Sequence, residues 1–368
     1  MNQTTSAAST SLDVRRIDPR SRKEYDHHYK VFEVRDDAVG LHGFIAIHRM
    51  NPGVPSFGAT RLWTYGDSDQ ALDDALRLSR TMSHKSAVAG LPCGGAKAAL
   101  VWHPGVADRA AYLHSYAAAV DRLGGEFVTG TDVGLSQEDL STLRQVTPHV
   151  VGFTDHSTEC TAAGVFEGIC ASLMAAYNDP SIDGRSFAVQ GLGKIGGSML
   201  RRLCGHASAI VVATDTDQEK IAAFGESCPD VRFVSPEEIH RQEVDVFSPC
   251  ALAHPVNARS VEELKCRVVA GGANNQLEME ALGVALMEQW IVYAPDFVIN
   301  AGGLISVYDE YEHPGDDDVK RALEKINRIP EVLGDIFVKS KSRGLPTNAV
   351  ANAMAHRIFD FYLDADAS

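Results

Sequence analysis

The sequence predicts an α/β protein of two domains, the second built around a doubly wound parallel sheet. The chain has 368 residues, enough for about two domains of roughly 150 residues each. Short apolar runs that suit strands alternate with helical stretches along the chain, the order expected of sheets covered by helices. In the second half, a glycine-rich turn follows an apolar run directly and opens a helical pattern.

The composition is that of an ordinary globular protein, and it narrows the range of partners. Hydrophobic residues make up 45% of the chain and charged residues 23%. A net charge of −15 disfavours nucleic acid and anionic lipid. The seven cysteines form no CxxC pair and no zinc-spaced cluster, so we expect reduced thiols, a cytoplasmic location and no metal. We find no run of about 20 apolar residues, and therefore expect no membrane-spanning helix.

The first half alternates strand and helix patterns. The expected strands lie at residues 30–35 and 43–50, followed by an amphipathic helix that Asp67 or Ser68 can cap. A glycine loop, a strand near 98–102, a helix near 106–123 and a strand near 126–130 come next.

The second half is more regular. A helix near 161–178 precedes a series of apolar strands that alternate with helices. Helices near 316–341 and 346–363 close the chain, and we expect Pro330 to kink or split the first of them.

A dinucleotide site is indicated by the glycine-rich turn. Gly191, Gly193 and Gly196 form GxGxxG between a strand and a helix, the order that pyrophosphate binding requires. Asp215 ends the next strand, where a carboxylate accepts hydrogen bonds from a ribose 2′-hydroxyl and repels a 2′-phosphate. The pattern therefore predicts NAD rather than NADP. The alternative is a plain βα turn with a surface aspartate.

Two lysines and an aspartate are the candidates for chemistry. Lys85 ends the amphipathic helix, and Lys97 follows the glycine pair of GLPCGGAK. If they converge on one site, the neighbouring charges and burial would lower a lysine pKa, and a lysine that loses its proton near neutral pH can act as a base. Asp132 lies just past a strand. The alternatives are two surface lysines and a turn-forming aspartate.

Several motifs in one order resemble those of a known superfamily. The segment GATRLWTYGDSDQALDDALRLSRTMSHKSAVAGLPCGGAKAAL resembles the signature region of the glutamate/leucine/phenylalanine/valine dehydrogenases, closest to the leucine, valine and phenylalanine branch. The motifs that follow are TGTDVG, GLGKIG, SPCAL, GGANNQL and YAPDFVINAGG. The resemblance spans roughly residues 30–360. It implies an N-terminal α/β substrate and oligomerisation domain and a Rossmann NAD-binding domain.

The resemblance also implies roles for individual residues. Lys85, with Gly58 and Asn275, would hold the substrate α-carboxylate. Lys97 would be the general base that activates water, and Asp132 would carry the proton of the substrate amine.

On the cofactor side, Thr161 would lie near the nicotinamide carboxamide and Asn300 would line the same cleft. The domains are expected at residues 1–150, joined by a C-terminal helix at 345–368, and at 151–344. Substrate and cofactor would then meet across their boundary.

Four positions bear on the substrate. Glutamate enzymes of the superfamily carry a lysine where this chain has Phe57, and a ring there favours an apolar side chain. Gly130 and Leu304 match pocket positions at which phenylalanine enzymes also have glycine and leucine, and Val307 would extend the wall. The chain departs from the usual motifs at Ala59 and in a shortened loop before Thr161, which leaves the shape of the site there open.

The function implied is reversible, NAD-dependent oxidative deamination of a neutral apolar L-amino acid, with phenylalanine or another aromatic favoured. The products would be the 2-oxo acid and ammonia, and the enzyme would be a homo-oligomer. A leucine or valine dehydrogenase is the first alternative, and a non-catalytic NAD-binding regulator is a remote one. A hydroxy-acid dehydrogenase would need a catalytic His–Asp pair with an arginine, and no histidine here has such a setting.

Overall fold

The computed structural model describes residues 11–206, 208–251, 254–316 and 318–365. This part of the chain separates into two compact units. The N-terminal unit contains the described residues up to Thr154 and those from Ile358 onward, and the second unit contains Asp155–Arg357.

The N-terminal unit is built on a mixed sheet. Its described strands are β1 (Asp13–Arg16), β2 (Lys30–Asp36), β3 (Leu41–Ile47), β4 (Ser56–Phe57), β5 (Thr60–Trp63), β6 (Ala96–Val101) and β7 (Phe127–Val128). Its described helices are α1 (Ser68–Val88), α2 (Arg109–Asp121) and α3 (Gln137–Arg144). The strand order is β1-β2-β3-β6-β5, with β4 and β7 paired separately in parallel. Strand β5 runs parallel to β6, and the other neighbours in the larger sheet are antiparallel.

The two faces of this sheet are covered by different helices. Strand β6 is buried along its whole length, so its side chains alternate between two apolar layers. Ala99 and Val101 pack with α1, and Ala98 and Leu100 pack with α2. Lys97 is two residues before Ala99 on β6, so its side chain lies on the same face of the sheet, the face that α1 covers. Asp67 caps α1, since its carboxylate accepts a 2.9 Å hydrogen bond from the Gln70 amide.

The second unit contains the predicted doubly wound parallel sheet. Its described strands are β8 (Ser186–Gln190), β9 (Ile210–Thr214), β10 (Arg232–Phe233), β11 (Val246–Pro249), β12 (Val268–Val269) and β13 (Val292–Tyr293). The described helices begin with α4 (His156–Tyr177), α5 (Lys194–Cys204), α6 (Gln218–Ser227), α7 (Ser260–Glu263), α8 (Leu282–Glu288), α9 (Asp296–Ile299) and α10 (Gly302–Glu312). The chain then forms α11 (Val319–Ile326), α12 (Arg328–Arg343) and α13 (Thr347–Ala365). The order is β10-β9-β8-β11-β12-β13, and each neighbouring pair is parallel. The direction of the strand order reverses beside β8, and doubly wound sheets bind their ligands at such a reversal.

Helix α4 begins five residues before the predicted start at residue 161. Its first turn packs against the start of α10, where a Cβ on Gly302 would lie 2.1 Å from the Cys160 carbonyl oxygen. Tertiary packing thus extends a helix that no side chain caps. By length and composition, α4 is the one helix within the described residues that could cross a membrane. However, 56% of its apolar window is buried, as in a core helix.

At the end of the chain, the split expected in the first helix is found, but the boundary between the units differs from the prediction. The helix expected at 316–341 is two helices, α11 and α12, and Pro330 sits in the first turn of α12, where no amide donor is needed. The boundary between the units falls at Arg357 rather than near residue 344. The reason is that the start of α13 is bonded into the second unit: Thr347 donates to the Tyr293 carbonyl oxygen and Asn348 to that of Glu280.

Close packing at Gly302 gives a testable prediction for stability. Ala at this position would press its Cβ on the Cys160 backbone, so we expect Gly302→Ala to lower the free energy of unfolding by about 2 kcal/mol or more. Gly334→Ala is the matched control, because nothing lies within 4 Å of its Cβ, and in mid-helix it should stabilise by about 0.5–1 kcal/mol. Urea unfolding of both variants measures the difference. Equal stability of Gly302→Ala and the wild type would contradict the packing.

Candidate active site

Lys97 and Asp132 form a buried ion pair in the N-terminal unit. The Lys97 ammonium lies 2.6 Å from Asp132 Oδ2, and the lysine is 5% exposed. Burial lowers the pKa of Lys97, against the opposing effect of the Asp132 charge. Burial by itself would raise the pKa of Asp132, but the charges of Lys97 and Arg61 bring it down to about 2. The pair therefore joins an ionised carboxylate to a lysine that loses its proton more readily than usual.

Further charged residues contact this pair, and they were not among the residues predicted from the sequence. Arg61 Nε donates to Asp132 Oδ2 at 3.2 Å, and Arg61 Nη1 donates to Asp74 Oδ2 at 2.8 Å. Asp74 also accepts from Arg77 at 2.6 Å and from the Tyr65 hydroxyl at 3.0 Å. Arg61 is the arginine of the GATR motif, so the sequence contained a residue that could have been predicted as part of the site. The partner Asp74 is 13 residues away on α1, and only the fold brings it close.

Lys85 lies in the last turn of α1, on a segment that is fixed against the start of β6. The Ser83 hydroxyl accepts a 2.9 Å hydrogen bond from the Gly95 amide, two residues before Lys97. Among the charged groups that act on Lys97, Asp132, Arg61 and Asp74 have the largest effects. Of the two causes expected from the sequence, a neighbouring charge and burial, burial is the largest cause of the lowered pKa of Lys97.

Phe57, Gly58 and Gly130 come together on neighbouring segments of the N-terminal unit. The amide of Gly58 donates to the Val128 carbonyl oxygen at 3.1 Å. A Cβ built on Gly130 would lie 3.8 Å from the Gly58 carbonyl oxygen and 3.2 Å from that of Val151. Phe57 is 1% exposed, so its ring fills space inside the unit. Gly58 must lack a side chain, because a Cβ would lie 1.9 Å from the Ala96 carbonyl oxygen.

The glycine turn of the second unit has the features of a dinucleotide site. Gly191 adopts φ +91°, a conformation that L side chains rarely take. Gly193 begins α5 with no side-chain cap, and a Cβ there would meet nothing within 4 Å. The first-turn amides of α5 therefore adjoin open space, as a phosphate requires. Gly196 packs on the turn itself, since a Cβ would lie 1.8 Å from the Gly191 carbonyl oxygen.

Asp215 ties this turn to the next strand. Its Oδ2 accepts a 2.6 Å hydrogen bond from the Leu192 amide, and its Oδ1 accepts from the Asp217 amide at 2.9 Å. Burial would raise the pKa of Asp215, but these amides and Lys220, 3.8 Å away, hold it below its ordinary value. The carboxylate is therefore ionised at the end of β9.

A second polar cluster of the same unit contains Asn300 and Thr161. Asn300 Nδ2 donates to Asn274 Oδ1 at 2.8 Å, and its Oδ1 is buried and accepts no hydrogen bond from any described residue. The Thr161 hydroxyl donates to the Ser157 carbonyl oxygen at 2.7 Å, which leaves the oxygen able to accept. A primary amide such as that of nicotinamide offers N–H donors of the kind that both oxygens could accept. The residues of this unit thus fit a nicotinamide dinucleotide.

The remaining predicted residues also lie in the second unit. Asn275 adopts φ +51° in the loop after β12, and its carbonyl oxygen contacts His254 Nδ1 at 3.1 Å. Leu304 and Val307 lie one turn apart on α10, with Leu304 buried. The four predicted pocket residues are therefore divided, two in each unit. Within the described ranges, no group of three or more His, Cys, Asp or Glu could hold a metal ion.

Comparison with known proteins assigns both units to one family. Residues 25–149 match the model of the Glu/Leu/Phe/Val dehydrogenase dimerisation domain, and residues 208–357 match that of the Glutamate/Leucine/Phenylalanine/Valine dehydrogenases. The chain is 36% identical to the leucine dehydrogenase of Thermoactinomyces intermedius, over 90% of this chain and 91% of that enzyme. It is 34% identical to the phenylalanine dehydrogenase of Bacillus thermotolerans, over 91% and 89% respectively.

A solved structure gives the same result. The L-tryptophan dehydrogenase from Nostoc punctiforme superimposes with a TM-score of 0.81 at 36% identity, covering 92% of this chain and 97% of that one. The chain belongs to the glutamate/leucine/phenylalanine/valine dehydrogenase family, and its similarities lie in the leucine/valine/phenylalanine branch. It is an amino-acid dehydrogenase, an oxidoreductase that acts on CH–NH2 donors.

Proposed function

We propose that the enzyme catalyses reversible, NAD-dependent oxidative deamination of a neutral apolar L-amino acid to its 2-oxo acid and ammonia. The observation that carries the proposal is the buried contact between Lys97 and Asp132, 2.6 Å apart. A general base must be a strong enough base and yet partly unprotonated near the working pH. Burial moves the pKa of Lys97 in that direction.

Each residue of the pair has its own step. Asp132, whose pKa is about 2, is ionised and accepts a proton from the substrate ammonium. Held at the glycine turn of residues 191–196, NAD⁺ would supply the acceptor for a hydride from the substrate α-carbon, so that the substrate would become an iminium. Lys97 deprotonates a water that adds to this iminium, and its ammonium then stabilises the developing oxyanion. Asp132 then returns its proton to the carbinolamine nitrogen, the C–N bond breaks with release of ammonia, and the hydroxyl proton passes to the freed Asp132 carboxylate, which gives the 2-oxo acid.

The other groups bind rather than react. Lys85 is proposed to hold the substrate α-carboxylate, with Gly58 and Asn275 contributing. Thr161 and Asn300 are proposed to orient the nicotinamide carboxamide, which the unpartnered Asn300 Oδ1 supports.

Lys97→Ala should abolish turnover while cofactor binding survives. A general base contributes about 10²–10⁴-fold to the rate, and we expect kcat to fall by at least that much. The glycine turn lies in the other unit, so the Kd for NADH should stay within about threefold, a change of less than 1 kcal/mol. Stopped-flow rates and NADH fluorescence titration measure the two. Lys30→Met, which breaks a lysine–Glu126 pair of the same unit, is the control. Near-normal kcat in Lys97→Ala would rule out the base role.

The preference for NAD is assigned to Asp215, because its ionised carboxylate repels a 2′-phosphate. We expect Asp215→Asn to raise the ratio of kcat/KM for NADP⁺ over NAD⁺ by about tenfold or more, the effect of roughly 1.4 kcal/mol. Asparagine is the better substitution, because alanine would also release the Leu192 amide. Asp217→Asn, which changes the cap of α6 and the contact of Asp217 with Lys220 at 3.6 Å, is the control. An unchanged ratio in Asp215→Asn would refute the assignment.

The favoured substrate is phenylalanine or another aromatic amino acid. Phe57 offers no charge to a substrate carboxylate, and Gly130 adds no methyl group at its pocket position, where a Cβ would lie 3.2 Å from the Val151 carbonyl oxygen. The named relatives act on leucine, tryptophan or phenylalanine, which supports an apolar side chain. The second candidate is a branched-chain substrate, favoured by the similarity to leucine dehydrogenases. A cytoplasmic homo-oligomer is proposed on the absence of paired cysteines in the sequence and on the match to a dimerisation domain.

A series of kcat/KM values over Phe, Trp, Leu, Val and Glu tests the substrate. Apolar pockets discriminate by about 1–3 kcal/mol per methylene, so several apolar amino acids should react, with phenylalanine among the best. Glutamate should be poor, because its carboxylate would be buried unpaired. Gly130→Ala should lower the Phe/Leu ratio, and Gly105→Ala, whose Cβ meets nothing within 4 Å, is the control. If valine exceeds phenylalanine, or Gly130→Ala leaves the ratio unchanged, the branched-chain candidate replaces the aromatic one.

A further inference from the structure

Arg61 and Lys97 approach the same atom from neighbouring strands. Arg61 pairs with Ala99 across β5 and β6, so its side chain shares the α1 face of the sheet with Lys97. Both cations contact Asp132 Oδ2, Lys97 at 2.6 Å and Arg61 at 3.2 Å. The carboxylate of Asp132 is thus held between two donors, and its orientation depends on both.

Arg61 is itself held by α1. Its second contact is with Asp74 Oδ2 at 2.8 Å, and this oxygen also accepts from the Tyr65 hydroxyl. Arg77 binds the other oxygen of Asp74 at 2.6 Å. The side chains of Arg61 and Asp74 are 21% and 17% exposed, so solvent screens this pair far less than a surface ion pair.

The largest charge effects on Lys97 come from three elements packed around β6. Strand β5 supplies Arg61, the loop after β7 supplies Asp132, and α1 supplies Asp74; the β3 residue paired with Lys97 is the uncharged Ala46. After burial, which lowers the pKa of Lys97 most, Asp132 and Asp74 raise it and Arg61 lowers it. Arg61 and Asp74 therefore act on Lys97 with opposite signs.

We propose that Arg61 and Asp74 are a positioning pair for catalysis, in which Arg61 orients the Asp132 carboxylate and sets the charge at Lys97, while Asp74 holds Arg61 and moderates that charge. This inference rests on the proposed roles of Lys97 and Asp132. Neither Arg61 nor Asp74 needs to touch substrate. Their function is to fix the proton-transfer pair in place and to determine the pH at which Lys97 becomes a base.

The test is the pH dependence of kcat/KM for oxidative deamination in Arg61→Met and Asp74→Asn. Without Arg61 the pKa of Lys97 rises, so the limb on which the rate increases with pH should move to higher pH. Without the Asp74 charge the pKa of Lys97 falls further, and the limb should move to lower pH. Ionisation of Asp132 does not contribute to this limb of the profile, because its pKa of about 2 is far below the pH range of the assay. At neutral pH, Arg61→Met should lose about tenfold in rate, or about 1.4 kcal/mol.

Three further variants separate this role from a structural one. Arg61→Lys keeps a charge and should restore much of the wild-type profile. The double variant Arg61→Met with Asp74→Asn removes both charges and should return the limb toward its original position. Arg109→Met breaks a comparable arginine–aspartate contact, at 2.8 Å to Asp139, on the opposite side of the sheet, and should leave the limb unmoved. Losses of rate without opposite shifts in the two single variants would overturn the proposal.

A readout without catalysis distinguishes failure of this proposal from failure of the proposed function. Competitive acetylation of Lys97 across pH, quantified by mass spectrometry, follows its neutral amine in the protein without substrate. Opposite shifts of the labelling midpoint in Arg61→Met and Asp74→Asn support the positioning pair. If labelling shifts while the kinetic limb does not, Lys97 is not the base and the proposed function fails. If neither shifts, the positioning pair is wrong and the base role stands.

Discussion

The burial of the Lys97 ammonium on the central strand β6 is the constraint on which the site depends. A charge removed from water costs several kcal/mol unless a partner compensates it. Asp132 supplies that partner at 2.6 Å, but its carboxylate is itself largely buried and binds Arg61 as well. Arg61 in turn contacts Asp74, which binds Arg77.

Positive and negative side chains therefore alternate along the series of contacts that begins at Lys97 on β6. The last member of this series is Arg77, whose side chain is 34% exposed. Each member of the network is stabilised by the next, and water screens only the last one appreciably. Such a network fixes side chains in one geometry, which proton transfer requires. It also explains why a lysine can be both buried and available as a base, since burial lowers its pKa while the ion pair prevents a full loss of charge.

Backbone contacts bring the other groups within range of this strand. Two glycines allow it: a Cβ at Gly58 would overlap the Ala96 carbonyl group, and one at Gly95 would lie 2.0 Å from the Ser83 amide nitrogen. Strand β4 and helix α1 can then lie directly against β6. In the second unit, buried acceptors such as Asn300 Oδ1 receive no hydrogen bond from any described residue. Buried polar atoms without partners are costly, and a ligand with N–H groups removes that cost.

The sequence by itself determined the class of fold, the glycine turn and the nucleotide-binding order of its elements, because these depend on local periodicity and on glycines with fixed spacing. It also singled out Lys97 and Asp132 as candidates for chemistry, and the motif resemblance then gave each of them a role. The early start of α4, the late unit boundary within α13 and the contact of Arg61 with Asp74 were decided by the tertiary structure. Each depends on groups distant in sequence, and no local pattern encodes whether such a contact will form. The pKa of Lys97 belongs to the same category, because burial and three charges from separate elements set it together.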